Sequence, residues 1–135
     1  MNRRADEYFL RKVIPLSCLI GSVFNEIRKE KGLSQAKMAK LISTTQPSYA
    51  KMERGVVIMS AVQLYAFAEK LEIKFGEVCS RAERMVEHCE DLGVIVERKR
   101  ICPDRRRRGD YLLGKDLNAF LIYHRIMPDA GGRYG

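Results

Sequence analysis

The chain lacks most of what a membrane protein, a metalloprotein or an enzyme would need. No apolar run reaches the roughly 18 residues that a spanning helix requires. Val13–Phe24 follows Arg11 and Lys12 as a short signal core would. It runs directly into a charged amphipathic stretch with no cleavage site, so secretion is not expected. The four cysteines, Cys18, Cys79, Cys89 and Cys102, include no CxxC pair, and His88 and His124 are not spaced as zinc ligands. No metal site is expected. Cys18, Cys79 and Cys89 sit in apolar surroundings, where a free thiol behaves as a small hydrophobe, and reduced cysteines suit a cytoplasmic protein. No nucleophile–base pair and no carboxylate pair accompanies a pocket signal, so neither enzymatic activity nor a cofactor is expected.

Negative charge is also in short supply. Lys and Arg number 25 against 17 for Asp and Glu, giving a net charge of +8 and a pI near 9.5. That excess favours a polyanionic partner without specifying one. The length of 135 residues and an apolar share of 46% suit one compact core with an appended piece.

Hydrophobic spacing divides the chain. Residues 1–17 form an arm in which Arg3, Arg4, Arg11 and Lys12 alternate with Tyr8, Phe9 and Leu10, with room for a helical turn before Pro15. It is expected either to pack across the domain or to reach a nucleic acid. A first helix is predicted from Ser17 to Lys31, because Ile20, Val23, Phe24 and Ile27 repeat at i, i+3, i+4, i+7. Gly32 ends it. Ser34 is the N-cap of a second helix that opens at Gln35 and turns Met38, Ala39 and Ile42 inward. Thr45 caps a third, with Pro47 in its first turn, where a missing N–H costs little. There Tyr49 and Met52 face the core, while Gln46, Pro47, Ala50 and Lys51 share the outer side. Ser60 caps a fourth helix, and Ala61, Leu64, Phe67, Ala68 and Leu71 form its buried stripe. A long fifth helix runs from Phe75 to about Gly93. Phe75, Cys79, Ala82, Val86 and Cys89 keep a 4-3-4-3 spacing on it, widened by Val78, Met85 and Leu92. Beyond it, Val94–Ile101 reads as a strand and Arg105–Arg108 as an exposed loop. In Tyr111–Met127 the spacing of Leu117, Phe120, Leu121 and His124 favours helix, although residues 120–123 fit a strand as well. Residues 129–135 form a loose tail.

The run LSQAKMAKLISTTQPSYAKMERG resembles the helix-turn-helix of lambdoid phage repressors, Cro proteins and the wider Xre-type regulators. The resemblance implies a mainly α fold: a five-helix repressor-like domain over 18–80, here with a long fifth helix and a small C-terminal extension of α/β character. It also implies binding of double-stranded DNA as a homodimer on a two-fold operator. Carried over by position, Gln35 and Thr45 contact phosphate, and Thr44 lies beside them. Gln46, Ser48 and Lys51 face the major groove, and Arg54 touches the backbone. Arg28 and Glu53 form a structural ion pair. Glutamine suits adenine N6 and N7, and lysine suits guanine O6 and N7.

Three departures from the family pattern stand out. Ser43 occupies the turn position where glycine with positive φ is usual. Pro47 replaces a residue that often reads a base, which restricts it to an apolar contact such as a thymine methyl. Val56-Val57-Ile58-Met59 fills a loop where relatives often place basic residues. Ala82, Met85, Val86, Cys89 and Leu92, within residues 81–128, are the expected dimerisation or partner-binding stripe; alternatively the C-terminal segment folds over them. The function expected is transcriptional regulation by operator occupancy, as in a repressor. The rivals are an antitoxin that autoregulates its operon, and an RNA- or protein-binding module using Arg105–Arg108.

Overall fold

The computed structural model describes residues 12–99 and 104–127. The arm residues before Lys12, Cys102, the end of the expected strand at 100–101 and the glycine-rich tail lie outside them. Within them the elements are β1 (Val13–Pro15), α1 (Leu16–Glu30), α2 (Gln35–Leu41), α3 (Gln46–Arg54), α4 (Ala61–Lys70), α5 (Phe75–Asp91), β2 (Ile95–Glu97) and α6 (Gly114–Tyr123). A 3-10 turn spans Arg105–Asp110.

The helix boundaries follow the capping residues. The Ser34 side chain accepts from the Lys37 N–H, Thr45 from that of Ser48, and Ser60 from that of Gln63. Gln63 returns the favour to the Ser60 N–H, completing a capping box. Ser43 adopts φ 59°, so the turn between α2 and α3 takes the left-handed conformation with a serine in place of glycine. Its N–H donates to Lys40 O and that of Thr44 to Ala39 O, which satisfies the carbonyls at the end of α2.

α1 and α3 cross without space for a side chain at the contact. A Cβ on Gly21 would fall onto the backbone carbonyls of Met52 and Glu53. At the far end of α3, Gly55 (φ 75°) lies against the Cys18 backbone. There Ser17 Oγ donates to Gly55 O at 2.7 Å and Cys18 Sγ to Arg54 O at 3.3 Å. The last carbonyls of α3 are therefore held by the first turn of α1.

Around this crossing, one core joins α1, α2 and α3 to α5 and the C-terminal segment. On α5 the inward seam is Val78, Ala82, Met85, Cys89 and Leu92, again a 4-3-4-3 series. Its fully buried members are Val78, Met85 and Cys89, whereas Cys79 of the expected series is exposed and Phe75, Ala82, Val86 and Leu92 are half-buried. The apolar stripe is wide enough to hold two such series, and packing against α1 selects one. Arg81 fixes that choice from the polar side. Its guanidinium reaches Glu26 at 2.6 Å, Glu30 at 3.0 Å and Glu77 at 3.1 Å.

Of the stripe assigned to dimerisation, Met85 and Cys89 are buried within the chain, while Ala82, Val86 and Leu92 are half-buried. Met85 and Cys89 are buried in the same cluster as Val96, Leu112, Leu117, Phe120, Leu121 and Met127, and Ala82, Val86 and Leu92 pack against it. A second subunit could reach Met85 or Cys89 only by unpacking this core. Burial keeps the Cys89 thiol protonated, pushing it up to about 12, and pushes Cys18 up to about 11.

Val13–Pro15 is a strand, not the end of a helical arm. It pairs in parallel with β2, with Ile14 opposite Val96, and Val13 also bridges Tyr111. Leu112 N donates to Val13 O at 2.9 Å. Residues 111–112 are thus extended, and the helix begins only at Gly114. The ambiguous C-terminal stretch contains both conformations.

The α1–α3 crossing makes a sharp prediction. Gly21→Ala forces one helix away from the other, an overpacking expected to cost about 1–3 kcal/mol. Urea unfolding of the variant against the parent measures it.

Candidate nucleic-acid interface

The interface is built on a buried carboxylate. Glu53, near the end of α3, faces α1 with its side chain 5% exposed, against 12% for Arg28. The pairing is two-pronged: Arg28 Nε lies 2.9 Å from Oε2 and Nη2 lies 2.9 Å from Oε1. Asn25 Nδ2 donates to the same Oε1. The remaining Arg28 nitrogen, Nη1, donates to Leu33 O at 2.9 Å, just ahead of α2. One guanidinium thereby ties together α1, the entry to α2 and the end of α3. The expected Arg28–Glu53 pair is present and architectural.

The electrostatics agree with this geometry. Burial alone would raise the Glu53 pKa, but the hydrogen bonds and charge of Arg28, with the amide of Asn25, outweigh it and hold the carboxyl below its usual range. The same hydrogen bonds to Glu53 lead in raising Arg28. Burial, with the Glu53 charge beside it, lifts the Tyr49 phenol far above its ordinary value, so it stays a neutral core residue.

On the outer side of α3, Gln46, Pro47, Lys51 and Arg54 are exposed. None of these side chains makes an ion pair or hydrogen bond within the described residues. Thr45, exposed at the N-cap, and Ser48, half-buried, are engaged with each other: Thr45 Oγ1 lies 2.9 Å from Ser48 Oγ. Thr44 is half-buried in the turn. Gln35 is half-buried, and its amide points toward Glu53 Oε1 at 3.4 Å. The structure therefore groups Gln46, Pro47, Lys51 and Arg54 on one open face and ties Gln35, Thr45 and Ser48 into the scaffold beside it. In this arrangement a glutamine amide and an ammonium, at the two edges of one open face of a short helix, present donors suited to purine edges.

Sequence spacing did not reveal two neighbours of this face. Asn118, on α6, lines a cavity together with Gln35 and Arg54. Arg98 and Lys99 line another beside Val57, Ile58 and Met59, bringing positive charge next to the loop that carries none. Both contacts join residues far apart in the chain, and no local pattern encodes them.

No group of His, Cys, Asp and Glu side chains among the described residues could hold a metal ion. No helix among them is long and apolar enough to cross a membrane.

Glu53 gives the acid response a definite sign. A carboxyl held below its ordinary value of 4.5 stabilises the fold above that pH, and the contribution fades as the pH falls through the depressed folded value. Glu26 acts oppositely: burial outweighs its attraction to Arg81 and raises its pKa, so its share is largest in acid and lost as the pH rises. At pH 7, Glu53→Gln should cost about 3–5 kcal/mol by leaving Arg28 unpaired. The difference from the parent should shrink between pH 5 and about pH 3 in urea titrations.

Residues 25–78, which hold all of α2, α3 and α4, match the family model described as Helix-turn-helix. No curated protein matches the chain, and no solved structure does. Over residues 25–78 this match supports a DNA-binding helix-turn-helix of the Xre-type, lambda Cro-like kind.

Proposed function

We propose that the chain is a sequence-specific regulator of transcription, acting in the cytoplasm as a homodimer on a two-fold DNA operator, without enzymatic activity or cofactor. The observation that carries this reading is the open face of α3. Gln46, Pro47 and Lys51 project from a helix whose angle is set by the Gly21 crossing and by the buried Arg28–Glu53 pair. A reading head needs that rigidity, because a bidentate contact to a base edge tolerates little displacement. Gln46 would pair with an adenine and Lys51 with a guanine, Pro47 would touch a thymine methyl, and Arg54 would hold the flanking phosphate. Occupancy of a promoter would then block or recruit polymerase.

Because Met85 and Cys89 are buried, we place the pairing of two copies away from α5. The loop after α3 and the start of α4 expose Val56, Ile58, Val62 and Tyr65, with Ile58 67% and Val62 79% accessible. This patch follows α3 directly, so a two-fold axis there would place two recognition helices side by side. They could then enter successive major grooves about 34 Å apart.

The Arg105–Arg108 run supports an RNA-binding reading less well. Arg106 is paired with Asp104 at 3.4 Å and Arg107 with Asp110 at 3.1 Å, leaving Arg105 and Arg108 without such partners among the described residues.

Selection of bound duplexes from a random pool tests the reading directly. A two-fold symmetric consensus is expected. Gln46→Ala and Lys51→Ala should each relax one position of it and weaken binding by roughly 1–3 kcal/mol. Unchanged preference in both variants, with binding abolished by replacing Arg105 and Arg108, would overturn it. For the pairing surface, sedimentation at tens of micromolar is expected to show a dimer for the parent and a monomer for Ile58→Asp. Both species should retain the parent's helical circular dichroism.

A further inference from the structure

The matched segment ends at residue 78, yet the C-terminal extension returns to the reading face. A cavity of about 200 Å³ opens between α1, α2, the end of α3 and α6. Gln35 and Arg54 form its helix-turn-helix side, and Gly114, Leu117 and Asn118 form its α6 side. We propose that the cavity is a composite seat for a DNA backbone phosphate, with Asn118 of the extension completing what Gln35 and Arg54 begin. The proposal rests on the DNA-binding reading above and adds a contact from outside the matched segment.

The charge of the lining favours an anion there, although one buried acceptor on it, Asn25 Oδ1, has no partner among the described residues. The one carboxylate lining the cavity, Glu53, is already neutralised by the two-pronged Arg28 pair and capped by Asn25. Arg54 is exposed and makes no ion pair among the described residues. Asn118 is exposed, and its amide makes no hydrogen bond among them. A free guanidinium, a free amide and the Gln35 amide thus converge on one opening, the donor set that a phosphate oxygen accepts from. On α6, residues 114, 117 and 118 share one face, whereas Asp116 lies on the opposite side, about two residue steps of 100° away. The negative charge of the first turn is directed away from the opening, and Leu117 is buried and anchors α6 to the core. Asn118 is held in place by that anchor, so its position relative to Arg54 does not depend on a mobile segment.

Backbone contacts are independent of sequence, so a fluorescein-labelled 30-bp duplex of mixed sequence serves as the probe. Anisotropy titrations over a range of salt concentrations would compare the parent with Asn118→Lys and Asn118→Asp. Both substitutions are at an exposed position and leave the core intact. Asn118→Lys should bind more tightly and steepen the slope of log K against log salt by about 0.9, the value for one added phosphate contact. Asn118→Asp should bind several-fold more weakly. A parent that binds duplex while both variants match it in affinity and slope would overturn the composite seat and leave the regulator reading standing. Weaker binding by Asn118→Lys would overturn it as well, by showing that α6 obstructs the backbone. A parent that binds no duplex at all would overturn both readings.

Discussion

The orientation of the outer face of α3 depends on one buried ion pair. Glu53 lies on α3, Arg28 on α1, and the third prong of the guanidinium reaches the backbone just before α2. Taking two charges out of water is costly, and such a pair is not by itself a source of stability. Its value here is geometric. The planar fork accepts only one arrangement of the three helices, and Gly21 removes the last freedom by letting the α1 and α3 backbones touch. Because the outer face of α3 carries almost no packing of its own, its orientation has to be imposed from behind.

A second constraint comes from the ends of the described chain. β1 threads between β2 and residues 111–112, so the segment just before α1 and the segment after α5 hold each other. Beyond this clasp, α6 lines a cavity with residues of α1, α2 and α3. The clasp covers the apolar stripe of α5. A stripe that reads as a subunit interface in isolation becomes part of the monomer core. Exposed apolar surface lies instead around Ile58 and Val62, in the loop after α3 and at the start of α4.

The charge distribution follows the same division. Carboxylates are concentrated where they meet cations inside the fold: Glu53 with Arg28, and Glu26, Glu30 and Glu77 with Arg81. Lys51 and Arg54 make no ion pair among the described residues, and Arg98, paired with Glu90 at 2.8 Å, and Lys99 stand beside the apolar loop. Excess positive charge in the composition thus becomes local charge at the edges of α3, the arrangement that favours a polyanion over a neutral partner.

The sequence by itself determined the five helices through α5, the caps of α2, α3 and α4 and the exposed face of α3. Those features are local: a serine or threonine hydroxyl reaches an N–H three residues on, and spacing at 3.6 residues per turn needs no distant partner. The Arg28–Glu53 pair was legible only through the family motif, since the two residues are far apart in the chain. Tertiary structure decided the rest. Two overlapping series on α5 were equally regular, and contact with α1 chose Val78–Met85–Cys89. Val13–Pro15 became a strand because β2 and Tyr111 offered it backbone partners, which no local propensity encodes. Asn118 joined Gln35 and Arg54 for the same reason: proximity across a fold is set by how the core closes, and hydrophobic periodicity states only which side of a helix must be covered, not what covers it.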